Sequence, residues 1–195
     1  MSNTILRDCS KNIPYLVADS VETTGLKWAA PATPASGLTF IKSVTVGTSV
    51  SSVAVTNAFS ATYDNYLITF TGGVGSTSNN DLSLQLGATT SGYAFSGFYQ
   101  TTTATALTLS AQNSISKFDI ATMSAEGASV EIFVTSPYLA KRTAVAARGT
   151  PLVSGDFRAD LVGRLENTTS YTDFTILTTN TMTGGVIRVY GYQNS

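Results

Sequence analysis

From Leu38 onward, apolar residues return at every second position, and this regularity leaves little room for anything but strands. Side chains of a strand alternate between its two faces, so a period of two marks a chain with one face buried. Tyr66, Ile68 and Phe70 share a face. Leu82, Leu84 and Leu86 alternate with Ser83 and Gln85, and Val130, Ile132 and Val134 stand against Glu131 and Thr135. Phe157, Ala159, Leu161 and Leu165 look one way while Arg158, Asp160, Arg164 and Glu166 look the other. Phe174 and Ile176 mark a further strand. In the last one, residues 185–192, Ile187 and Val189 oppose Arg188, Tyr190 and Tyr192. Weaker alternation runs over 40–46, 50–56, 93–100, 107–110, 116–120 and 143–148. Turn signals fall at Gly72 to Asn80, Ser91-Gly92, Ser136-Pro137, Gly149 to Pro151 and Thr183 to Gly185. About ten short strands with such punctuation and no helical stripe predict an all-β fold, a sandwich or barrel. No internal repeat points to a propeller or solenoid. Long, varied connections favour a single jelly-roll-like antiparallel β-sandwich, preceded by an extended N-terminal arm.

Residues 1–17 read as that arm. Ile5, Leu6, Ile13, Tyr15, Leu16 and Val17 are apolar but too few for a core, and Pro14 opposes a continuous helix. A segment of this kind orders by docking on something else. Residues 18–37 form a junction that holds the single Trp and two of the five Pro residues, Pro31 and Pro34, which bias their neighbours to extended backbone. The β domain then spans 38–195.

Composition excludes much chemistry. There is no His, so Ser-His-Asp and Cys-His nucleophile systems are ruled out, as are the usual His/Cys zinc sites. Asp156 and Asp160 sit four residues apart on a strand, which separates them by about 13 Å, too far for a glycosidase pair. Asn79, Asn80 and Asp81 read as a turn before they read as a calcium site. The expectation is therefore a non-enzymatic protein without cofactor or metal. The net charge of −1, with Lys and Arg scattered, argues against nucleic acid as a partner. No apolar run reaches the roughly 18 residues that span a bilayer, so membrane insertion is not expected. The N-terminus shows no apolar signal region, and the lone Cys9 suits synthesis in a reducing cytoplasm. Without a signal peptide, the sequon at Asn167 carries no meaning.

The junction residues Ala18-Asp-Ser20, Thr23-Thr-Gly-Leu-Lys-Trp28 and Ala29-Ala-Pro31 resemble a segment of bacteriophage tail-fibre and related virion proteins that precedes a C-terminal β domain. Gly184 to Gly191 looks like the closing strand of such domains, and Tyr63-Asp-Asn-Tyr66 is similar to their lead into an apolar strand. The resemblance implies a homotrimeric jelly-roll domain on the surface of a virion, made in the cytoplasm of a bacterial host. Such fibres usually carry a long anchoring or shaft region, and no heptad or Gly-X-Y shaft stands here. Two placements follow: a short fibre or tip that binds the host surface, its protein or glycan, or a capsid decoration protein held by the arm.

Three groups of residues are the candidates for contact. Ile5, Leu6, Ile13, Tyr15, Leu16 and Val17 would dock on the parent particle, or else pack as an N-terminal strand. Trp28, Arg158, Asp160, Arg164, Glu166, Arg188 and Tyr190 would meet neighbouring subunits; their other reading is simple packing for Trp28 and a solvated face for the charges. Tyr93, Phe95, Phe98 and Tyr99 lie beside Gly92 and Gly97 and read first as an ordinary core strand. If exposed, Tyr93, Phe98 and Tyr99 would be the receptor contacts, stacking on sugar rings.

Overall fold

A computed structural model describes residues 15–18, 21, 23, 26–29, 37–77, 80–101, 106–151 and 157–194. Contacts divide the chain into two units, Met1–Ser36 and Gly37–Ser195. In the first, β1 (Tyr15–Ala18) pairs antiparallel with β2 (Leu26–Ala29), and Leu16 stands opposite Trp28. The sequence pattern had not assigned these two strands. A lone two-stranded ribbon is marginal in water, and Leu16 is 48% exposed on this one.

The second unit is all-β, with no helix among the described residues. Its strands are β3 (Leu38–Thr45), β4 (Val50–Val55), β5 (Asn65–Gly75), β6 (Asn80–Leu86), β7 (Tyr93–Thr101), β8 (Thr108–Ile115) and β9 (Phe118–Met123). They continue with β10 (Ala128–Thr135), β11 (Ala144–Pro151), β12 (Phe157–Leu165), β13 (Phe174–Thr183) and β14 (Val186–Tyr192). Each stretch of alternation, strong or weak, becomes one of them. All pairings are antiparallel. One hydrogen-bonded path runs β8–β7–β12–β11–β10–β5–β13–β6–β9, and β14 joins β3 to β5 while β4 adds to β13. The path bends far enough that β9 lies over β11 and β12, so the sheet nearly closes on itself in the manner of a barrel.

The interior follows from the period-two faces. Tyr66, Ile68, Phe70, Leu82, Leu84, Leu86, Ile132, Val134, Phe174, Ile176, Ile187 and Val189 are sealed from solvent. Phe118 of β9 reaches across the interior. Its ring meets Tyr93 edge-on with centroids 4.8 Å apart, and its edge occupies the space a side chain at Gly163 would need. Ala121 of β9 likewise fills the space beside Gly149 of β11.

Two expected turns are strand instead. β5 continues through Gly72 and Gly73 to Gly75, because residues 65–73 pair with β10 and β14 while Val74 and Gly75 pair with the end of β13. The glycines therefore mark a bend between partners and not a chain reversal. β11 likewise runs through Gly149 to Pro151, held opposite Ala128. The turn at 183–185 is present, with Gly184 and Gly185 at φ of 68° and 90°.

Candidate protein interface

Eight strands lie side by side in the order β3–β14–β5–β10–β11–β12–β7–β8. Their inward residues make the core, and their registers then dictate which outward residues are neighbours. One row reads Phe40, Tyr190, Leu67, Phe133, Ala146, Val162, Ser96 and Ala111, each directly opposite the next. It is apolar across six strands, and Phe40, Phe133 and Val162 are 56%, 38% and 61% exposed. Solitary surface hydrophobes are ordinary, but a contiguous line of them marks a contact surface.

The adjacent row reads Ser43, Arg188, Thr69, Glu131, Arg148, Asp160, Phe98 and Leu109. Its charges alternate in sign along β14, β10, β11 and β12. The Arg148 guanidinium donates from Nε to Asp160 Oδ1 at 2.7 Å, and this hydrogen bond holds the Arg148 pKa above its ordinary value. Arg188 donates to Thr71 Oγ1 at 3.3 Å. Nearer the other strand ends, Arg164 and Arg142 both reach Glu166, at 2.7 and 3.1 Å. Over β10, β11, β12 and β7 this face is hollowed into an open depression of about 910 Å³.

The structure thus gathers Asp160, Arg164, Arg188, Tyr190 and Phe98 onto one face. Arg158 occupies β12 opposite Gln100, and Glu166 follows the end of β12. Tyr99 is 41% exposed near the end of β7. Trp28 is in β2, in the other unit, as are Tyr15, Leu16 and Val17 of β1. Ile5, Leu6 and Ile13 lie outside the described residues. Sequence reasoning missed Phe40, Leu67, Phe133, Arg148 and Val162. For Phe133 and Val162 a signal existed: each is an apolar residue at an outward position of an otherwise alternating strand.

Tyr93 is a correction. It is fully buried and offers nothing to a receptor. Its hydroxyl donates to the Thr89 carbonyl at 3.0 Å and accepts from the Leu86 N–H at 2.9 Å, which ties β7 to the end of β6. Gly92 takes a φ of 80° at the turn before the strand. Burial pushes the Tyr93 phenol from 10.0 up to about 12, against the opposing pull of the Leu86 N–H. A proton held more tightly in the folded state gives stability that is complete below the unfolded value of 10.0 and lost as pH climbs through about 12. Tyr93→Phe is expected to cost about 1–2 kcal/mol at neutral pH, by stranding the Leu86 N–H; the Thr89 carbonyl keeps the Gln85 Nε2 donor. The substitution should also remove part of the alkaline loss. Urea unfolding of both proteins at neutral pH and above pH 10 checks this; parallel stability curves would refute it.

A second depression of about 370 Å³ includes Asp81 and Asp119 among its lining residues, and Ser83 Oγ donates to Asp119 Oδ1 at 2.8 Å. Among the described residues no group of three or more His, Cys, Asp or Glu could hold a metal ion. No family model, curated protein or solved structure matches the chain.

Proposed function

We propose that this chain is a non-enzymatic structural protein of a bacteriophage particle, working through protein surfaces as a homotrimer and displayed as a short fibre or tip that binds the host surface. The observation that carries this reading is the outward apolar row from Phe40 to Val162, bordered by charges of alternating sign. A surface of this kind serves association between proteins and offers no arrangement for bond-making chemistry. The junction around Thr23 to Trp28 and the closing strand supply the resemblance that directs the reading to a virion. We take the β domain as a jelly-roll-like sandwich, with β3–β14–β5–β10–β11–β12–β7–β8 as one layer and β4–β13–β6–β9 as the other. In support, Phe118 and Ala121 of β9 pack against Gly163 and Gly149 of the opposite layer.

Light scattering of the purified chain is expected to give three times the 20.4 kDa of one chain. Antibody-labelled particles should then carry the protein at the tail, and the purified protein should adsorb to host cells and block infection. A stable monomer overturns the trimer. Label on the head, with binding to empty capsids through residues 1–36, would replace the fibre reading with capsid decoration.

A further inference from the structure

We infer that the outward face of β14, β5, β10, β11, β12 and β7 is the seam of the trimer, with the rotation axis running along the strands over the line between β10 and β11. The number of copies rests on the homotrimer reading above; the placement of the seam rests on the two rows.

Around an axis parallel to the strands, every residue keeps its level along the axis. A strand lying some steps to one side of the axis line meets the strand lying as many steps to the other side in the next copy. A line between β10 and β11 therefore sets β10 against β11, β5 against β12 and β14 against β7. In the apolar row, Phe133 then faces Ala146 of the neighbouring copy, Leu67 faces Val162 and Tyr190 faces Ser96. A bulky side chain meets a small one at the first and third pairs, and two middle-sized ones meet at the second. This is how opposed surfaces interdigitate without voids. In the charged row, Glu131 faces Arg148, and Arg188 faces the ring of Phe98. Around a threefold axis the central pairs close into a ring of alternating Glu131 and Arg148.

The placements within one step of this line are worse matched in charge. A line directly over β10 or β11 brings Glu131 or Arg148 against itself. One step towards β14, between β5 and β10, opposes Arg188 to Arg148. One step the other way sets the Glu131 carboxylate against the Phe98 ring. Like charges opposed at a desolvated seam are strongly disfavoured, which is how such surfaces fix register. A second copy of this chain thus fits the middle of the face better with the axis between β10 and β11 than up to one step to either side, and a partner with a single strong charge would not match its alternating signs.

The test uses the full chain with Cys9→Ser, Leu67→Cys and Val162→Cys. Within one chain, β5 and β12 are three strand spacings apart, about 14 Å. A disulfide needs Cα atoms about 4–7 Å apart, so the two introduced thiols can join only across the seam. Mild oxidation is expected to give a covalent species of three chain masses on a non-reducing gel, and neither single-cysteine variant should give it. A trimer by light scattering that refuses to cross-link overturns the seam while leaving the homotrimer standing. Covalent dimers without trimers overturn the threefold arrangement. A monomeric parent protein overturns the homotrimer reading itself.

Discussion

Phe118→Ala is expected to lower the unfolding free energy by about 3–5 kcal/mol, the usual cost of emptying the site of a buried aromatic ring. The ring is fully buried and bridges β9 to β7 and β12, touching Tyr93 on one side and the backbone at Gly163 on the other. Gly163 has no side chain with which to fill the vacated space, and Tyr93 is held in place by its hydroxyl bonds to Leu86 and Thr89. The site therefore has little means of collapsing, which places the loss toward the upper part of the range. For a chain of this length the melting temperature should drop by on the order of 10 °C. Calorimetry checks this, and a loss below about 1 kcal/mol would mean that β9 is not packed as described.

Gly185→Ala should be the other severe change, costing about 3 kcal/mol or more. At φ of 90° an L-residue is strained, and a Cβ would stand 2.5 Å from the Gly73 nitrogen and 2.7 Å from its Cα. Those are backbone atoms of the bend where β5 passes from β14 and β10 to β13, and they cannot step aside as a side-chain tip could. Gly184→Ala separates the two causes. Its φ is 68°, yet a Cβ there meets nothing within 4 Å, so only the backbone cost of about 1–2 kcal/mol applies. Denaturant melts of the two variants should differ by at least about 1 kcal/mol; equal losses would show that the close approach of Gly185 to Gly73 is not tight.

The fold was legible where a strand buries one face and wets the other. The final strand announces itself because solvent and core impose opposite demands on successive residues. Legibility failed where a residue answers to something other than its own core. Phe133 sits between Ile132 and Val134, so Ile-Phe-Val reads as three core residues, although only the outer two are sealed. Arg148 was passed over because its partner, Asp160, is on the next strand and twelve residues away. Which outward residues stand shoulder to shoulder depends on eight registers at once, and register is a property of pairs of strands. For Tyr93 the alternative of an exposed receptor contact fails and the reading as a core strand residue agrees with its burial; the neighbouring glycines serve a tight turn at Gly92 and the close backbone approach of β12 at Gly97.

The place of β14 has a consequence for how the polypeptide matures. This strand, which follows all the others among the described residues, is inserted between β3 and β5, two of the earliest in the domain. While a ribosome is still making residues 186–192, the first strand of the domain has nothing to pair with and the flank of β5 is open. Pairing of β3 and of this flank of β5 must therefore wait until residues 186–192 have been made, and such late closure makes assembly slow and leaves nascent copies open to pairing with one another.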